Sequence, residues 1–169
     1  VRSRGLGDVY KRQLEQSAAF ALADNILLYH SLPDELSTRE FLDRWHGRKH
    51  FFLPRVNGLN LEILPYDSSR MALGAFHIEE PQGTDTCDIS QIEMIVVPAV
   101  AYDRRGNRVG RGKGYYDRLL ADSHATKVGV GYDFQLLDDE IPAEAHDVAV
   151  DMVITDRRRI VIHHLKKKK

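Results

Sequence analysis

A chain of 169 residues, 43% of them hydrophobic and 29% charged, is long enough to bury a core as one globular domain. Its formal net charge of −1 gives no reason to expect binding to nucleic acid or an anionic membrane, and its single cysteine, Cys87, excludes an intrachain disulfide. No apolar run approaches the roughly 18 residues of a membrane span and no signal peptide is visible, so the chain reads as cytoplasmic and, by default, monomeric.

In chain order, residues 1–13 contain Gly5, Gly7 and scattered charge without a sustained apolar period. They read as a disordered or non-native leader before a domain spanning 14–165, with 166–169 a solvated basic tail. Ala18, Ala19, Ala21, Leu22 and Ala23 favour a helix, and Asp24-Asn25 hands over to a strand from Ile26 to His30. Ser37-Thr38-Arg39-Glu40 has capping-box spacing before Phe41, Leu42 and Trp45. Phe51 to Leu53 reads as a short buried strand ended by Pro54, and Leu59 to Leu64 as an alternating, half-exposed one. Cys87 lies in a loop-like setting and reads as an inert thiol.

Ile92 to Val97 is the most apolar run and should be central, because both of its faces lack charge after Glu93. Lys127 to Tyr132 follows as a strand whose glycines allow close backbone approach, and Val148 to Thr155 and Arg159 to His163 are further strands. Strands alternating with helices predict an α/β fold: a single three-layer domain, with a largely parallel sheet and helices on both faces.

Between the 92–97 strand and a helical pattern ending at Leu119-Leu120 lies Asn107-Arg108-Val109-Gly110-Arg111-Gly112-Lys113-Gly114-Tyr115-Tyr116-Asp117. A strand, a loop with three alternate glycines and a helix start present free backbone N–H groups to an anion. Six Lys/Arg fall within the 15 residues from Arg104 to Arg118, where the overall composition would place about two. From Asp133 to Asp151 there are seven acids and no Lys or Arg. Basic loop and acidic segment together suggest polyphosphate with a divalent cation. The loop is not a Walker A sequence and lacks its magnesium-binding hydroxyl, so any metal would need carboxylates. Asp117 is the first candidate; the alternative is an i, i+4 salt bridge to Lys113.

Pro98-Ala99-Val100-Ala101-Tyr102-Asp103, Gly106-Asn107-Arg108 and Gly110 to Asp117 resemble the signature of the 5-formyltetrahydrofolate cyclo-ligase, or 5,10-methenyltetrahydrofolate synthetase, family. The likeness extends upstream to Ile26 through Glu35 with Thr38, and downstream to Phe134-Gln135-Leu136, Ile141-Pro142 and His146-Asp147. It implies ATP- and magnesium-dependent closure of 5-formyltetrahydrofolate to 5,10-methenyltetrahydrofolate, with release of ADP and phosphate. By that resemblance ATP is bound by Arg108, Val109, Gly110, Arg111, Gly112, Lys113, Gly114, Tyr115 and Tyr116. Reduced folate is bound by His30, Glu35, Arg111, Gly112, Lys113, Gly114 and Tyr115. Arg111, Lys113 and Tyr115 are catalytic, and Asp117 and Asp147 hold magnesium. The family's opening basic helix, with a Lys and an Arg four residues later for the nucleotide, has no match in residues 1–13, which implies impaired activity. Two other readings fit the same scaffold: a non-catalytic phosphate- or nucleotide-binding module, and a sugar-phosphate isomerase.

Overall fold

Met94 to Val97 are four consecutive buried residues, a pattern sustained only by an interior strand covered on both faces. The computed structural model describes residues 11–29, 39–45, 47–73, 79–110, 112 and 114–164. Helix α1 is described over residues 11–15 and precedes α2 (Ala18–Leu22), β1 (Asn25–Leu27), α3 (Arg39–Trp45), β2 (His50–Asn57) and β3 (Asn60–Pro65). Then come β4 (Met71–Leu73), β5 (Glu79–Pro81), β6 (Met94–Val97), β7 (Ala101–Asp103), β8 (Arg108–Val109) and α4 (Tyr115–Ala121). The chain continues through β9 (Thr126–Gly131), β10 (Leu136–Leu137), β11 (Met152–Thr155) and β12 (Arg159–Val161).

The main sheet has seven strands in the order β12-β11-β9-β6-β1-β2-β3, with β6 in the middle. The five inner strands pair in parallel; β12 and β3 close the edges antiparallel. The sheet is therefore mixed but largely parallel, as expected, with few and short helices. Alternation along the strands divides the core in two. Ile26, Leu28, Met94, Val96, Val128, Val130, Met152 and Ile154 join Leu14, Phe20, Phe41 and Leu42 from the helices on one face. Leu27, Ile95, Val97 and Val153 join Tyr102, Leu120 and Ile162 on the other.

On the second face β9 offers glycines, and the buried Tyr102 ring fills that space. A Cβ on Gly129 would overlap the ring, and one on Gly131 would touch it at 3.6 Å. The Tyr102 hydroxyl donates to the Val97 carbonyl, so the ring has a polar anchor as well. The sequence expectation of close approach at these glycines is met by a side chain.

The stretch expected as a leader is described from residue 11 onward. Residues 11–13 are helical, Lys11 is buried, and Gln13 Nε2 donates to Thr155 O at 3.1 Å. Leu14, 1% exposed, enters the first core. Ser17 ties α1 to α2: its hydroxyl donates to Leu14 O at 2.7 Å and accepts from Phe20 N at 3.2 Å as the N-cap. The helix gains its order from the core beneath it, which a periodicity reading of five residues does not register. Residues 1–10, the 166–169 tail and the capping-box residues Ser37 and Thr38 lie outside the described residues.

Pro54 does not end β2. It pairs with Ile63 of β3, and its missing N–H falls just beyond the bond from Leu28 N to Phe52 O, where the pairing with β1 runs out. Two places further on, the same side of β2 is covered by the buried Glu80, whose carboxylate accepts from Val56 N at 2.5 Å.

Candidate active site

From β1 the chain goes first to β2 and β3 on one side, then returns to place β6, β9 and β11 on the other. The strand order therefore reverses between β1 and β6, and an open α/β sheet binds ligands beyond the carboxyl ends of its strands at such a point. Leu28 and Tyr29 leave β1 there, Pro98 and Ala99 leave β6, and the glycine loop follows a short hairpin, β7 and β8. His30 and Glu35, which the resemblance assigns to folate, lie outside the described residues.

The hairpin is built on Asp103. This residue is 1% exposed, and its carboxylate accepts from Arg105 N at 2.8 Å, Asn107 N at 2.9 Å, Asn107 Nδ2 at 2.9 Å and Ile141 N at 2.8 Å. Burial pushes the Asp103 pKa upward, but the hydrogen bonds from Ile141, Asn107 and Arg105 outweigh it and hold the carboxyl below its ordinary value. At the turn, Gly106 has φ of 84°, and a Cβ there would overlap the Val150 carbonyl. Val150 N donates to Gly106 O at 2.9 Å. The hairpin is thus fixed to the segments around Ile141 and Val150. The sequence signal was present as the Asp-turn spacing Asp103, Arg105, Asn107, which favours a side chain bonding backbone N–H groups two and four residues on.

The glycine loop leaves β8 at Gly110. Gly112 and Gly114 have φ of 94° and 68°, the left-handed region open to glycine, which accounts for two of the three glycines. Arg111 and Lys113 lie outside the described residues. Val109 is exposed beside the loop, and Tyr115 and Tyr116 open α4 with partly buried rings. Tyr116, Leu119 and Leu120 pack the helix onto the second core.

The helix start is fixed to the turn between β2 and β3. Arg118 donates from Nε to Leu59 O at 2.8 Å and from Nη2 to the same oxygen, and Tyr115 OH is 3.5 Å from Gly58 O. The Arg118 guanidinium also lies over the Tyr115 ring, 5.4 Å from its centroid. Tyr115, expected at the reacting centre, is thus held by this turn.

Asp117 is paired with Arg108 through Nη2 and Oδ1 at 2.7 Å, with the two side chains 6% and 21% exposed. The same Oδ1 accepts from Val148 N at 3.2 Å, so the residue after Asp147 is drawn to Asp117. Two candidate metal carboxylates far apart in sequence are brought to neighbouring segments. Asp147 Oδ2 accepts from Glu144 N at 2.9 Å, and Oδ1 is 3.5 Å from His146 Nε2.

The acidic segment is not an unpaired pool of charge. Asp138 meets Arg104 at 3.1 Å and Glu140 meets Arg105 at 3.3 Å, in exposed pairs. Asp133 is gripped by Arg158 at 2.9 and 3.1 Å and by the Thr155 hydroxyl at 2.8 Å, and the Arg158 guanidinium holds its carboxyl below the ordinary range. The basic loop and the acidic segment neutralise each other in part, so their counts do not by themselves demand a cation. No cluster of three or more His, Cys, Asp or Glu suited to a metal occurs among the described residues. Asp117 and Asp147 still fit magnesium, which is held by one or two carboxylates with phosphate oxygens and water as its other ligands.

Cys87 is apart from this loop. Its thiol lies 2.9 Å from Gln91 Oε1, and burial, helped by the charge of Asp88, pushes its pKa up, as an inert thiol requires. Among the described residues no helix is long and apolar enough to cross a membrane.

A family model described as the 5-formyltetrahydrofolate cyclo-ligase family matches residues 6–156, beginning inside the stretch expected to be foreign. The 5-formyltetrahydrofolate cyclo-ligase of Escherichia coli (strain K12) is 28% identical over 172 residues, 91% of this chain and 94% of that one. The corresponding protein of Haemophilus influenzae is 32% identical over 138 residues, covering 75% and 72%. The NMR structure of Aquifex aeolicus 5,10-methenyltetrahydrofolate synthetase superposes with a TM-score of 0.87 at 29% identity, over 99% of this chain and 87% of that one. With the match running through nearly the whole described chain, this protein belongs to the 5-formyltetrahydrofolate cyclo-ligase family of ligases.

Proposed function

We propose that this chain converts 5-formyltetrahydrofolate to 5,10-methenyltetrahydrofolate at the expense of ATP, releasing ADP and phosphate. The observation that supports this reading is the match of the chain to the cyclo-ligase family from residue 6 to residue 156, a span that includes the glycine-rich sequence between β8 and α4. The formyl oxygen on N5 takes the γ-phosphoryl group of ATP, N10 attacks the activated carbon, and the oxygen leaves as phosphate. Such a step needs cationic stabilisation of the transferring group and rigid placement of both nitrogens around one carbon. The N–H groups of residues 110–114, with Arg111 and Lys113, bind the phosphates; His30, Glu35 and Tyr115 orient the folate. Asp117 and Asp147 would hold magnesium, which supplies charge neutralisation between phosphate oxygens.

A spectroscopic assay for methenyltetrahydrofolate tests the reading. Product should appear only when 5-formyltetrahydrofolate, ATP and magnesium are all present. Turnover of a sugar phosphate without ATP would overturn it.

A further inference from the structure

We propose that Arg118 is a positioning residue for Tyr115, and that through it the turn between β2 and β3 belongs to the active site. Resting on the functional reading above, in which Tyr115 orients the folate, Arg118 is what holds that ring in place. Three parts of the chain meet at its guanidinium. Nε and Nη2 both donate to Leu59 O at the tip of the turn, Nε at 2.8 Å. The guanidinium carbon lies over the Tyr115 ring, 5.4 Å from its centroid. Nη1 stands 3.0 Å from where a Cβ on Gly114 would be, so the bare glycine at the end of the loop serves the approach of this group as well as its own φ of 68°. Two donors of one planar fork on one oxygen fix the plane of the fork, and with it the cation against the ring face. Tyr115 precedes Arg118 by three residues, the spacing that sets side chains next to each other on a helix.

The seating of the helix does not depend on these contacts. Tyr116, Leu119 and Leu120 pack α4 onto the second core, whereas Arg118 and Leu59 are exposed, so removing the arginine side chain opens no cavity. What Arg118 sets is the place of the Tyr115 ring between the glycine loop and the turn, and a positioning group displaced by about 1 Å can cost about 100-fold in rate. The Tyr115 hydroxyl, 3.5 Å from Gly58 O, faces the neighbouring carbonyl of the same turn. Ring and guanidinium are thus referred to one backbone segment, 57 and 59 residues away along the chain.

Steady-state kinetics in each substrate, with thermal melts and calorimetric titration of 5-formyltetrahydrofolate, separate positioning from a structural role and from direct contact. Arg118→Gln should lower kcat/KM for 5-formyltetrahydrofolate about tenfold, leave KM for ATP within about twofold of wild type and keep the wild-type melting temperature. Arg118→Lys, which keeps a cation beside the ring but loses the fork, should lose about threefold. In a Tyr115→Leu background, Arg118→Gln should cause no further loss. If Arg118→Gln does not fold, the Lys variant decides, by a loss confined to folate and absent in the Tyr115→Leu background. Unchanged kinetics in Arg118→Gln, a loss that follows a lowered melting temperature, or a loss that persists in full without Tyr115 would each overturn the proposal, the last by making Arg118 a direct contact of the substrate. Wild type that binds 5-formyltetrahydrofolate but does not convert it with magnesium and ATP would instead overturn the functional reading, and the folate affinities of the same variants would then decide the role of Arg118.

Discussion

Asp103 and Asp117 are both acids in the same stretch of chain, yet their environments give them different work. Four donors converge on Asp103 in a site closed to water. Asp103→Asn would turn one acceptor oxygen into a donor facing other donors, and should cost about 3 kcal/mol near neutral pH, given that hydrogen bonds to a charged group contribute about 1.5–3 kcal/mol. The pH dependence has a definite sign. Because the folded pKa lies below the unfolded value of about 3.9, the charge-dependent stabilisation is complete well above that value and is lost as pH falls through it toward the folded pKa. Chemical unfolding of wild type and Asp103→Asn should therefore show a gap that is constant from pH 6 to 8 and narrows below about pH 4. Asp117 and Asp147 should separate in a different way. Asp147→Asn removes an exposed pair with His146 and should change stability by less than about 0.5 kcal/mol. Asp117→Asn leaves the covered Arg108 without its counter-charge and should lose about 2 kcal/mol. Both should lower turnover sharply and be partly rescued by raised magnesium, and denaturant melts beside the methenyltetrahydrofolate assay check the pair.

Among the elements, α1 is where residue pattern and tertiary role diverge most. Leu14 is fully covered, and Glu15 Oε1 accepts from Trp45 Nε1 at 2.7 Å, so α1 closes the aromatic cluster of Phe20, Phe41 and Trp45. A chain starting at residue 16 should be less stable than one starting at residue 11 by about 3 kcal/mol, from the loss of one buried leucine and two part-buried hydrogen bonds, as measured by denaturant unfolding. The central strand was legible because an uninterrupted apolar run has few alternatives, and the loop because its glycines and cations are contiguous. The seven-acid segment was misleading for a physical reason: Arg104, Arg105 and Arg158, its partners, lie 25 to 35 residues away along the chain and meet it only in the folded state. Pro54 misled as well, since whether a proline ends a strand depends on which neighbour its nitrogen faces. The short β7-β8-β10 and β4-β5 sheets left no pattern of their own, being two or three residues per strand.

At the level of the whole molecule, the two cores are the two faces of one sheet: β1, β2, β6 and β11 send side chains to both, and β9 faces the second core with the glycines that Tyr102 covers. Damage to one face should therefore be felt on the other. Gly129→Ala, which forces a methyl group into the Tyr102 ring on the second face, should lower stability by about 3 kcal/mol. Trp45, the single tryptophan, packs against the first face and should report that loss with the same midpoint as far-ultraviolet circular dichroism. Two separated transitions would show instead that the faces unfold independently.

The turn at Gly58 and Leu59 bears on how the protein can be re-engineered. Most hairpin tips at the edge of a sheet are places to insert a tag, a sensor or a new chain terminus, because nothing else leans on them. Here the two backbone carbonyls of the tip hold Tyr115 and Arg118, although Leu59 is exposed. Lengthening the tip by a residue would shift the rail on which α4 begins and change the aperture of the glycine loop from some distance along the chain. A site that looks permissive from its exposure and its glycine is thus a poor graft point and a useful tuning point.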